Sequence, residues 1–117
     1  MPLIASQRHG LIQKILCNID PPNIPENLYF GVSTTPINND GSGVTEPSNA
    51  TGYTRVLLPN NLNTWNTATN GIVTNKIRIE FPELTADAGV AVWYFLATAA
   101  TGNAMWMDQF SSPRTLA

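Results

Sequence analysis

The chain has 117 residues and a formal net charge of −2, long enough for one domain with a modest core. Hydrophobic residues make up 43% of it and charged residues only 12%, which excludes a disordered, charge-driven segment. The six cations, Arg8, Lys14, Arg55, Lys76, Arg78 and Arg114, are scattered along the chain, where a phosphate-tracking nucleic-acid surface needs them clustered.

Polarity comes instead from thirteen Asn and thirteen Thr, a mix suited to turns and strand edges. Cys17 is the single cysteine, so neither an intramolecular disulfide nor a thiolate metal cluster is expected. His9 is the single histidine, so His-His metal spacing is absent. No apolar run approaches the roughly 20 residues of a membrane helix. Met1 to Ile19 carries Arg8, His9 and Lys14 inside its apolar pattern, unlike a signal peptide.

In chain order, residues 1–19 hold the helix candidate. Leu11, Ile12, Ile15, Leu16 and Ile19 form one stripe at helical period, with Ser6 as N-cap and Gly10 weakening the helix. Pro21-Pro22 ends it, and Asp20 to Pro25 is an extended connector. Leu28 to Ser33 reads as a strand. Thr35 to Gly52 is a long polar loop centred on Asn39-Asp40-Gly41-Ser42-Gly43.

Tyr53 to Leu58 is a second strand closed by Pro59, and Asn60 to Gly71 a second polar loop with Trp65 alone in it. Within Ile72 to Phe81, Ile77, Ile79 and Phe81 alternate with Lys76, Arg78 and Glu80, which predicts a half-exposed strand. Val90 to Ala97 is apolar throughout and predicts a central strand buried on both faces. Ala104 to Phe110 is a further strand, and Ser111 to Ala117 has no strong pattern. The expected fold is mostly β, a small β-sandwich or jelly-roll-like domain with a short N-terminal helix. Residues 1–25 would be helix and Pro-rich arm, and 26–117 the body.

No catalytic, cofactor-binding or metal-binding residues emerge. Cys17 and His9 lie just over two helical turns apart, too far for a nucleophile–base pair, so Cys17 is expected to be a small, buried or half-buried apolar residue. The eight carboxylates are dispersed, with no pair selected. Asn38, Asn39 and Asp40 lack calcium-loop spacing and read as turn chemistry. Trp65, Trp93, Trp106, Tyr53 and Tyr94 include strand residues better explained by packing than by sugar stacking. Trp65 is either a lid on its own core or an interface anchor. Glu46 and Arg55, each near a loop–strand boundary, either form a structural clamp that pins the long loop, by a bond between them or from Arg55 to loop carbonyls, or are two unrelated surface charges. The apolar-stripe residues Leu11, Ile12 and Ile15, with Trp65, are the interface candidates.

The order of Leu11 to Leu16, Leu28-Tyr29-Phe30-Gly31-Val32-Ser33-Thr34-Thr35-Pro36, Glu46, Gly52-Tyr53-Thr54-Arg55, Asn75, Ile79-Glu80-Phe81-Pro82 and Thr98 to Asn103 resembles a family of small tailed-phage virion proteins, tail-fibre-like or capsid decoration proteins. The likeness spans about residues 10 to 106. It departs at Ala88-Gly89, where the family has Trp-Gly, and after Phe110, where the family carries a further strand pair. The resemblance implies a structural protein of the virion without enzymatic activity or cofactor. It implies a capsid decoration (cement) protein, a homotrimer gripping the major capsid protein or other virion proteins, and adds Tyr53 to the clamp. The alternative is a tail-fibre or receptor-binding module contacting host glycans through Trp65 and its loop.

Overall fold

The computed structural model describes residues 4–20 and 25–116. The apolar run ending in Phe-Leu-Ala carries almost no polar side chain to turn to water, and it lies inside the sheet. Four strands, β1 (Asn27–Ser33), β2 (Val56–Pro59), β3 (Gly89–Ala97) and β4 (Trp106–Leu116), form one antiparallel sheet in the order β2-β1-β3-β4. Phe95, Leu96 and Ala97 are buried, as a central strand predicts, whereas Val90 at the other end of β3 is exposed. A register shift between Ala91 and Trp93 interrupts the alternation.

The mostly β class stands. Where a sandwich would set a second sheet, loops cover this one on both faces. One face packs Phe95, Ala97 and Met107 against Ile37, Val44 and Ala104. On the other, Leu28, Leu58 and Leu96 meet Trp65, Ile79 and Trp106, while Val32 and Ala91 meet Phe81, Leu84 and Phe110. Gly41 shows how closely the first loop is laid down. Its φ is +86°, and a Cβ there would stand 2.0 Å from the carbonyl oxygen of Ala104.

Three elements differ from expectation. The second strand begins at Val56 rather than Tyr53, because Tyr53 and Arg55 spend their side chains on other partners. Its last residue, Pro59, is on an edge strand, where the missing N–H leaves no ladder bond unmade. Residues 72–81 form no ladder strand. They make only isolated bridges, Thr69↔Ile72 and Trp65↔Asn75. The period-2 pattern survives as packing, since Ile79 and Phe81 turn onto the sheet face without pairing to it, whereas Ile77 stays exposed. Finally, β4 continues through the patternless tail to Leu116, pairing Leu116 with Gly89, and Pro113 is tolerated because β4 is the other edge.

The helix is shorter than its apolar stripe. α1 spans Ala5–Ile12, and a π-helical turn, Gln13–Cys17, carries the chain to Asn18 in the left-handed conformation. Its N-cap is Ile4, in extended conformation and without a side-chain cap, so Ser6 lies inside the helix instead of capping it. Ile4 ties this end to the body through a 3.2 Å bond from its amide to the carbonyl of Met105. The Pro-rich connector at 21–24 lies outside the described residues.

Candidate functional site

The polar centre of the molecule is built where β2 stops short. Gly52 (φ +89°) closes a 3-10 turn, Asn49–Thr51, and aims the following residues back at β1. The Tyr53 hydroxyl accepts from the Val32 amide at 3.1 Å and donates to Glu46 Oε1 at 2.8 Å. Arg55 reaches the same carboxylate with two donors, Nε to Oε1 at 2.8 Å and Nη2 to Oε2 at 3.0 Å. The guanidinium also binds the carbonyls of Ala99 (2.9 Å) and Gly102 (2.7 Å) and lies 4.8 Å from the Phe95 ring centre.

Glu46, Tyr53 and Arg55 therefore meet in one cluster that joins the long loop, the start of β2 and the 98–103 turn. The Arg55 side chain is only 2% exposed and that of Glu46 25%. This nearly buried cation, held by a bidentate carboxylate and two carbonyls, gives four of its five N–H donors to its own chain. Burial, reinforced by the neighbouring Glu46, raises the Tyr53 pKa above the ordinary tyrosine range and keeps the hydroxyl a donor. The cluster has no free nucleophile or base, and its chemistry is cross-linking of backbone segments.

The loop that Glu46 belongs to is held from inside as well. Ser33, wholly buried, accepts from the amides of Thr35 and Thr45 and donates to the carbonyl of Thr35. Asp40 accepts from the Ser42 hydroxyl (2.6 Å) and amide (3.0 Å), bonds that hold its carboxyl below the ordinary value. Asp40 is thus a turn anchor. Among the described residues, no group of three His, Cys, Asp or Glu side chains is placed to hold a metal ion. No described helix is long and apolar enough to cross a membrane.

A second feature escaped the sequence reading. One sheet face is incompletely covered and leaves an apolar groove of about 920 Å³. Leu28, Phe30, Leu96 and Trp106 form its floor, and Trp65 and Val73 stand in its wall. Trp65 is half-buried and packs against the Leu28–Leu58–Leu96 cluster, so it is part of the protein's own core cover and of the groove at once. No periodicity signals the groove, because its walls come from a loop without regular pairing.

Leu11, Ile12 and Ile15 are exposed by 50%, 56% and 76%. Leu11 edges the groove, while Ile12 and Ile15 do not reach it. Cys17 is exposed, contrary to the buried or half-buried position expected of it, because the π-helical turn that carries it touches α1 but no strand of the sheet. His9 is exposed as well.

A rigid β-body whose polar cluster is self-satisfied, with apolar surface left over, suits a protein that is built into something larger. Residues 5–117 match the family model described as Podophage GP4 fiber I protein gp80. The chain belongs to this family. It is a structural, fibre-type protein of tailed-phage virions, the class that the order of its motifs resembles. No curated protein matches it.

Proposed function

We propose that this chain is a non-enzymatic subunit of a tail fibre in a podophage particle. The observation that carries this reading is the match of residues 5–117 to a family described by the word fiber. It favours the fibre over the capsid decoration role to which the motif order alone leads. Residues 26–117 would serve as the rigid body and residues 1–25 as the arm that contacts other virion proteins, with a homotrimer as the expected assembly. The body's design supports this role: Arg55 and Glu46 tie three loop and strand segments together without leaving a reactive group.

Direct contact with host glycans is the second reading: Trp65 packs against Leu28, Leu58 and Leu96 yet also stands in the wall of the open groove, beside Asn60, Asn61 and Asn66. The deciding experiment is localisation of this chain in intact particles by cryo-electron microscopy. Density along a fibre at the tail supports the proposal. Trimers at three-fold positions on an otherwise bare shell would overturn it in favour of the cement role.

A further inference from the structure

We infer that the apolar groove is filled by the N-terminal helical segment of a second copy of this chain. The inference goes beyond the fibre reading and stands at either position in the particle.

The first ground is an unburied stripe. Leu11, Ile12, Ile15 and Leu16 lie on the helical segment and Ile19 just beyond its left-handed end at Asn18, and all five are exposed by 50–77%. An amphipathic helix is stabilised by burying its apolar face, and this one leaves that face in water. Among the segment's described residues, Gly10 and Leu11 alone line the groove of the same copy, and Ile12, Ile15, Leu16 and Ile19 of the stripe do not.

The second ground is the chemistry of the groove. Its floor and walls combine Leu28, Phe30, Trp65, Val73, Leu96 and Trp106, and its lining includes no charged residue. Asn60, Asn61, Asn66 and Asn75 add uncharged polar groups to the lining, but the described lining offers no counter-charge to an anionic ligand, a nucleic acid or a charged peptide. It matches an uncharged aliphatic stripe, and the chain carries one.

The third ground is area. The chain exposes 7592 Å², whereas a compact monomer of 12.7 kDa exposes about 6,200 Å². Its radius of gyration is 15.0 Å, against about 13.4 Å for a compact domain of this length. The surplus, about 1,400 Å², exceeds the roughly 800 Å² per partner of a stable protein–protein interface. Each copy carries both the stripe and the groove. The contact therefore repeats from copy to copy, as a reciprocal pair, a closed ring or an open filament.

The test uses the full chain. Sedimentation equilibrium at micromolar concentration should give a multiple of the 12.7 kDa chain mass. Ile15→Asp and Leu16→Asp on the stripe, and Val73→Asp in the groove, should each reduce it to a single chain mass, with unchanged far-UV circular dichroism. Should a variant misfold, the wild type still decides. A photo-crosslinker attached to exposed Cys17, in a mixture of isotopically light and heavy chains, should join one copy to residues 60–75 of another. A monomeric wild type, an oligomer untouched by the stripe variants, or crosslinks confined to one copy would each overturn the inference.

Discussion

The Tyr53 hydroxyl accepts the amide proton of Val32 at 3.1 Å, taking the place of the strand partner that β2 does not supply beyond Val56. A side chain thus completes the ladder where the backbone leaves it, and the same hydroxyl passes its own proton to Glu46. Tyr53→Phe removes both bonds and keeps the ring stacked on Phe81, 5.6 Å away. With the Val32 amide buried and unpaired, the variant should lose about 1–3 kcal/mol in urea unfolding.

The same residue sets an alkaline limit. Burial raises the folded-state pKa of Tyr53 above its unfolded value of about 10. The folded state then holds a proton that the unfolded state releases, so this stabilisation is complete below pH ~10 and declines as pH rises toward the folded value. Urea midpoints of the wild type should fall above pH ~10, and those of Tyr53→Phe should fall less steeply.

Removing either partner of the Arg55–Glu46 pair should have unequal effects. Glu46→Ala strands a cation that is 2% exposed and should cost about 3 kcal/mol or more. Arg55→Met leaves a carboxylate that keeps a quarter of its surface in water, and methionine fills part of the space over Phe95. That variant should cost less, about 1–2 kcal/mol, chiefly for hydrogen bonds lost at Ala99 and Gly102. Equal losses in denaturant titrations would show that the carboxylate is not the counter-charge on which the cluster depends.

Gly31 lies under the cluster, and a Cβ at this position would stand 2.4 Å from Phe95 Cζ and 2.8 Å from the Tyr53 hydroxyl. Phe95 is wholly buried and has no room to retreat. Gly31→Ala should therefore destabilise by about 1–3 kcal/mol through overpacking, read as a lowered urea midpoint. A neutral result would mean that the Phe95 ring shifts freely.

Much of the β-architecture was legible in the chain itself. The apolar run at 90–97 could only be a central strand, and Leu28 to Ser33 carried strand-forming residues between turn signals. The Glu46–Arg55 contact was favoured chiefly by the motif order shared with the phage family, since the residues alone also allowed two unrelated surface charges. The stripe from Leu11 to Ile19 was equally plain as a pattern. That its side chains find no cover in one copy was not, because periodicity reports which face is apolar and says nothing of what packs against it.

Tertiary structure decided the rest for a common reason: pairing is a relation between segments, and local pattern describes one segment at a time. Residues 72–81 alternate as a strand does, yet Ile79 and Phe81 spend that alternation covering a sheet face instead of joining its edge. The patternless tail became half of β4 because β3 offered it backbone partners as far as Gly89. The groove exists only because a loop without regular pairing stops short of closing over Leu28, Phe30 and Leu96. The sequence by itself determined the central parts of the four strands, the mostly β class and the apolar stripe. Only the fold decided that loops replace a second sheet and that one face stays open, since both depend on contacts made across long stretches of chain.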